Sequence, residues 1–170
     1  VWELETGEGY SSPLLAGGKL IYFHRLNHST LTGAGEEVLD CLDPDTGKRH
    51  WRMKYPVTYR DRYNFSPGPR SSPVVSGGRI YLTGVTGIFH CLDLETGAII
   101  WKRDLRKDYN IPTYFFGYGP SPSPFWQDRI ILNVGGRAAA EGPGVCVAAF
   151  SIRDGSTLWE VKDQWGASYA

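Results

Sequence analysis

Cys41-Leu42-Asp43-Pro44-Asp45-Thr46-Gly47-Lys48-Arg49-His50-Trp51 returns fifty residues later as Cys91-Leu92-Asp93-Leu94-Glu95-Thr96-Gly97-Ala98-Ile99-Ile100-Trp101. A looser third copy runs Ala149-Phe150-Ser151-Ile152-Arg153-Asp154-Gly155-Ser156-Thr157-Leu158-Trp159 and departs from the pattern at Ser151 and Asp154. Ahead of each copy lies a second shared element. It runs from Ser12-Pro13 to Tyr22, from Ser72-Pro73 to Leu82, and from Ser123-Pro124 to Leu132. Two ordered motifs recurring three times, at a period of about 50–60 residues, identify a repeat architecture in the propeller range.

The second unit shows the strands best. Pro73 to Val75 is a short first strand, with Pro at its start where no ladder donor is lost. Arg79 to Thr83, Ile88 to Asp93 and Ile99 to Arg103 follow, separated by turns at Ser76-Gly77-Gly78, Gly84 to Gly87 and Leu94 to Gly97. Four short antiparallel strands joined by Gly and Asp turns make one propeller blade. The predicted fold is all-β: a β-propeller of four-stranded antiparallel blades, here about three blades of an incomplete ring. The expected boundaries are 1–11 for the end of a preceding blade and its link, then blades at 12–56, 72–105 and 123–162. Residues 163–170 are expected to start a further blade. Three blades do not close a ring, so the sequence reads as a segment of a longer propeller.

Composition agrees. The chain has 170 residues, 21 of them Gly and 11 Pro, with 14% aromatics and one Met, a profile of turns and strands rather than helices. Lys plus Arg number 18 and Asp plus Glu number 18, so the formal net charge is zero. That argues against nucleic acid as a partner bound through a basic face. No apolar run approaches the ~20 residues of a membrane-spanning helix.

The pattern small-x-Asp-x-x-Thr-Gly-x-x-x-Trp, matched at Cys41 to Trp51 and Cys91 to Trp101, resembles the quinoprotein-like, or PQQ-repeat, β-propeller family. The family includes quinone-carrying alcohol dehydrogenases, the outer-membrane assembly lipoprotein of the barrel-insertion machinery, and exported proteins of unassigned role. The resemblance implies that Trp51, Trp101 and Trp159, with Gly47, Gly97 and Gly155, dock neighbouring blades. It also implies a periplasmic or secreted location.

Up-down-up-down topology sorts the loops onto two faces. The short turns share one face, and the long segments 23–37, 54–70, 104–122 and 135–144 share the other. A ligand or partner is expected on the elaborated face, since function gathers on loops over a rigid scaffold. Two links there mix aromatics with Arg, which suits stacking and binding of anions. Arg60, Arg62, Tyr63, Arg70, Tyr114 and Tyr118 are the candidate ligand-binding residues. The alternative is that these side chains pack over the inner strands as a structural plug.

Other constellations read as structural. His24 and His28, with Glu36 and Glu37 nearby, begin a loop and read as solvated rather than as a metal site. His90 reads as a packed strand residue. Three cysteines, an odd count, read as free thiols, with Cys41 and Cys91 buried. The functional reading is a non-catalytic scaffold or binding module for a protein or cell-envelope component, with no cofactor, catalytic residue or metal. The alternative, from the resemblance, is part of a PQQ- and Ca²⁺-dependent alcohol or sugar dehydrogenase.

Overall fold

The computed structural model describes residues 1–112, 116–125, 128–136 and 143–164. They form three four-stranded antiparallel sheets, each a simple meander. The first holds β1 (Leu14–Ala16), β2 (Lys19–Leu26), β3 (Ala34–Leu42) and β4 (Arg49–Thr58). The second holds β5 (Val74–Ser76), β6 (Arg79–Thr83), β7 (Ile88–Asp93) and β8 (Ile99–Asp104), followed by one helical turn, α1 (Leu105–Asp108). The third holds β9 (Ser123–Phe125), β10 (Arg129–Asn133), β11 (Gly144–Ser151) and β12 (Thr157–Asp163). The sheets are the blades of an open, incomplete propeller.

Stacking between blades explains why the middle strands are buried on both faces. Ile80, Leu82 and Leu92 of the second blade pack on Ile21, Phe23, Leu39 and Cys41 of the first. Alternate residues of the same strands, Tyr81, Phe89 and Cys91, pack on Ile130, Leu132 and Phe150 of the third. The period of two in a strand therefore divides each blade between two interfaces rather than between core and water. All three cysteines are free, and Cys41 and Cys91 are buried.

The repeated motif closes each blade by one device. Asp43 Oδ1 accepts from the Thr46 backbone N–H at 2.8 Å and from its hydroxyl at 2.7 Å, and Asp93 does the same with Thr96. The Gly47 and Gly97 N–H groups donate back to the Asp43 and Asp93 carbonyls at 2.9 Å. Their φ angles of 72° and 71° favour Gly at that position. The divergent third copy keeps this turn: Gly155 donates to the Ser151 carbonyl and has φ 73°, while Asp154 accepts from Ser156.

The indoles lie across these glycines. Trp2 covers Gly47, Trp51 covers Gly97 and Trp101 covers Gly155, each on the blade that follows. Their Nε1–H groups donate to the carbonyls of Pro44, Leu94 and Ile152 at 2.9, 3.1 and 3.0 Å. A Cβ on Gly97 would lie 2.5 Å from the Trp51 ring, so the turn Gly is required by the stacking as well as by its φ. Trp159 is exposed, with no blade beyond it among the described residues.

One assignment shifts. The Ser12 N–H donates to Ser72 Oγ, and the Ser72 N–H donates to Ser121 Oγ, both at 3.0 Å. Ser121-Pro122 thus holds the place of Ser12-Pro13 and Ser72-Pro73, two residues before the Ser123-Pro124 pair that the sequence suggests. Pro124 instead pairs with Ile130 inside β9. Strand β9 has a partner on one side only, where a missing N–H donor is tolerated.

Candidate functional site

The long links on one face are held from below by buried charge. Arg25, on β2, is buried and donates to the carbonyls of Pro67 at 2.7 Å, Gly33 at 2.5 Å and Tyr59 at 3.2 Å. One guanidinium thus ties the β2–β3 loop to two points of the link between the first two blades. Burial lowers its pKa, opposed by the charges of Glu37 and Glu8. Asp61 is the second anchor. Its carboxylate accepts from the Tyr63 and Phe65 N–H groups, from the Tyr59 hydroxyl and from Arg70 Nη2 at 3.0 Å. Burial and the Asp61 charge push the Tyr59 hydroxyl up to about 12.

Glu37 crosses between blades. It accepts from the Tyr55 hydroxyl at 2.6 Å and from the Val85 N–H of the second blade at 2.8 Å. Burial raises its pKa, against the pull of those two donors and of Arg25. Arg25 and Asp61 are not among the candidate residues of the sequence reading, and Glu37, expected in a solvated loop, is instead buried in β3. Asp61 alone carried a signal there, as the one carboxylate inside an Arg- and Tyr-rich run.

The structure divides the sequence-predicted ligand residues. Arg70 turns inward: besides Asp61 it donates to the Ser66 and Gly68 carbonyls and, through Nε at 2.8 Å, to Phe116 of the next link. Its guanidinium also lies 4.7 Å from the Tyr10 ring centroid. Tyr118 is buried, with its hydroxyl on the Asn133 carbonyl at 2.7 Å. Arg60, Arg62 and Tyr63 are exposed. Tyr114 lies outside the described residues.

Around Arg70 the face carries an aromatic bowl of about 340 Å³, lined by Tyr10, Phe65, Arg70 and Phe116. Phe65 and Tyr63 approach Phe116 with ring centroids 5.8 and 6.1 Å apart. Tyr10, Tyr63 and Phe65 are each more than half exposed, at 55%, 58% and 53%. Phe65 and Phe116 were not singled out in the sequence, because nothing in a loop distinguishes an exposed ring from a packed one.

The histidines are placed by packing. His24 lies in strand β2 rather than in the loop expected, and is buried. Its Nδ1 accepts from the Gly7 N–H and its Nε2 faces Asp40 at 3.0 Å, so Nε2 carries the proton. His28 sits 3.7 Å from Glu8. Among the described residues, no group of three or more His, Cys, Asp or Glu side chains is arranged to hold a metal. His90 is buried and lies 4.6 Å from the Tyr55 ring, and burial together with the Lys102 charge pushes its pKa down to about 4. It is therefore neutral in the folded chain, while the unfolded chain takes up a proton near pH 6.5. The His90 contribution to stability is present above about pH 6.5 and is lost as pH falls toward 4. An NMR titration is expected to show the His90 ring protons unmoved between pH 7 and 5, whereas a midpoint near 6.5 would place the ring in solvent.

Comparison with known proteins follows this geometry. The sequence profile described as outer membrane protein assembly factor BamB matches residues 35–169. No curated protein sequence matches the chain. Among solved structures, BamB from Moraxella catarrhalis is similar at 18% identity with a TM-score of 0.51, over 85% of this chain and 33% of that one. The quinohemoprotein alcohol dehydrogenase of Comamonas testosteroni is similar at 17% identity with a TM-score of 0.59, over 93% of this chain and 22% of that one. A europium-containing methanol dehydrogenase gives 19% identity and a TM-score of 0.58, over 95% of this chain and 26% of that one. These likenesses show the shared fold, and the chain spans a third or less of each protein.

Proposed function

Because the chain belongs to the family described as outer membrane protein assembly factor BamB, we propose that it is a binding module of an exported propeller protein. It engages a protein or cell-envelope component through its elaborated face and performs no chemistry of its own. The observation that carries this reading is the exposed cluster of Tyr10, Tyr63, Phe65 and Phe116 on links anchored by Arg25, Asp61 and Arg70. Grouped apolar surface on a rigid support marks interaction sites, and aromatic side chains are the residues that anchor them. The exposed candidate Arg60 shares a depression with Phe65, and Arg62, next to Tyr63 in sequence, is exposed as well; these would supply the charged rim that such interfaces carry.

The dehydrogenase alternative requires a Ca²⁺ cradle for the quinone, and the engagement of the buried carboxylates among the described residues supports the binding-module reading over it. The buried carboxylates of this face are engaged inside the protein: Glu37 by Tyr55 and Val85, Asp61 by Arg70 and the link backbone.

A photoreactive phenylalanine analogue at Phe65, in host cells making the full-length protein, is expected to form an adduct with an envelope polypeptide. The same analogue at Thr46, on the opposite face, is expected to form none. Equal yields from both positions would overturn the proposal.

A further inference from the structure

Beside the aromatic bowl, and bordered like it by Phe65, lies an open cleft of about 560 Å³. The side chains of Glu8, His28, Thr30, Arg60 and Asn64 converge on it. They come from three segments: the chain before β1, the β2–β3 loop and the link after β4. Their hydrogen-bonding capacity is largely unused. Among the described residues, Thr30, Arg60 and Asn64 make no side-chain hydrogen bond or ion pair. The Glu8 carboxylate is half exposed and meets His28 at 3.7 Å. The Nε2 atom of His28 is buried and has no hydrogen-bond partner among the described residues. Asp61 also lines the cleft, but its carboxylate is taken up by Arg70 and the backbone of the link.

We infer that this cleft binds a neutral carbohydrate, with one sugar ring against Phe65 and its hydroxyls on the converging polar groups. The inference goes beyond the binding-module reading: it assigns the elaborated face a second ligand and stands without the first. Four features select that ligand. Buried polar atoms are nearly always hydrogen-bonded, so the unmatched His28 Nε2 calls for a polar group in the cleft. The lining mixes an acceptor, Glu8, a donor, Arg60, and groups that do both, Thr30 and Asn64. Sugar hydroxyls donate and accept, and so match the whole set, whereas an apolar ligand would strip it of water without replacing the bonds. The formal charges cancel, Glu8 against Arg60 and Asp61 against Arg70, which favours neither an anion nor a cation. Phe65 is 53% exposed and offers an apolar face to the C–H side of a ring. The volume lies within the roughly 300–1,000 Å³ of small-ligand sites.

The test is a calorimetric titration of the full-length protein with cellobiose, maltose and N,N′-diacetylchitobiose. Sorbitol, which carries hydroxyls but no ring, and inorganic phosphate are the controls. At least one disaccharide is expected to bind saturably, and each control about tenfold more weakly or not at all. Saturation-transfer NMR on the unaltered protein then locates the sugar. Irradiation of the aromatic protons is expected to reach the C–H protons on one ring face of the bound disaccharide. Glu8→Ala, at a half-exposed side chain, is expected to weaken binding about tenfold, the loss of a hydrogen bond to a charged group. Phe65→Leu is expected to weaken it about fivefold and to abolish the aromatic transfer. Binding of none of the three disaccharides, sorbitol or phosphate binding as strongly as they do, or affinity unchanged in either variant would overturn the inference. A polypeptide adduct at Phe65 with no disaccharide binding would leave the binding-module reading standing and remove this one alone. Disaccharide binding with equal adduct yields at Phe65 and Thr46 would do the reverse.

Discussion

Replacing Trp101 by Ala is expected to cost about 3–5 kcal/mol, in the range for truncating a buried aromatic. At roughly 2–4 °C per kcal/mol for a chain of this size, the melting temperature falls by about 10 °C. Trp101 joins the second blade to the third by two contacts and packs within its own blade by one more. Its ring covers Gly155, its Nε1–H reaches the Ile152 carbonyl, and its edge meets Phe89 at 5.1 Å between centroids. Gly155→Ala approaches the same contact from the other side. A Cβ there would lie 2.7 Å from the indole on a residue with φ 73°, and overpacking of that kind costs about 1–3 kcal/mol. In the Trp101→Ala background the space is open and only the backbone cost of about 1–2 kcal/mol remains. The two substitutions are therefore expected to be non-additive. Additive losses measured by denaturant unfolding would mean that the indole does not bear on that glycine.

Asp40→Asn is expected to be the most damaging polar change. Asp40 is fully buried, accepts from Arg52 twice at 2.7 Å and from His24 at 3.0 Å, and pairs with the Arg49 guanidinium 2.8 Å away. Removing its charge leaves two guanidinium groups at a buried acceptor without compensation, a loss of about 3–5 kcal/mol for broken buried pairs. The pH dependence follows. Burial alone would raise the Asp40 pKa, but the bonds from Arg52 and His24 and the charges of Arg52 and Arg49 hold it well below the ordinary carboxylate range. A lowered folded-state pKa makes its contribution full above the unfolded value of about 4 and lost as pH falls below it. Urea unfolding from pH 7 to 3 is expected to show a steep acid limb in the native chain and a shallower one in the variant. Parallel limbs would contradict the assignment.

The sequence was informative where one residue type serves one purpose. Asp43, Gly47 and Trp51, and their counterparts at 93, 97 and 101, recur because the turn needs an acceptor, a positive φ and a ring at fixed offsets. The same logic failed at Pro120-Ser121-Pro122-Ser123-Pro124, where two Ser-Pro pairs satisfy one pattern. Only the Ser72-to-Ser121 hydrogen bond between blades chooses the first. In the links, Arg and Tyr suit either surface or interior, so their direction is decided by stacking of blades distant in sequence. Arg70 and Tyr118 turn in, Arg60 and Tyr63 stay out, and Asp61 is the group that pulls Arg70 inward. Arg25 and Glu37 face each other as partners across β2 and β3, among polar as well as apolar neighbours, and their burial appears only once the loops close over them.

The most direct test of the account is hydrogen–deuterium exchange of the full-length protein, alone and with the envelope polypeptide identified by the Phe65 adduct. Protection gained on binding is predicted for residues 59–70 and 105–112, together with the loop at 27–33. Protection confined to the short turns at 43–48, 93–98 and 152–156 would place the partner on the opposite face and contradict it.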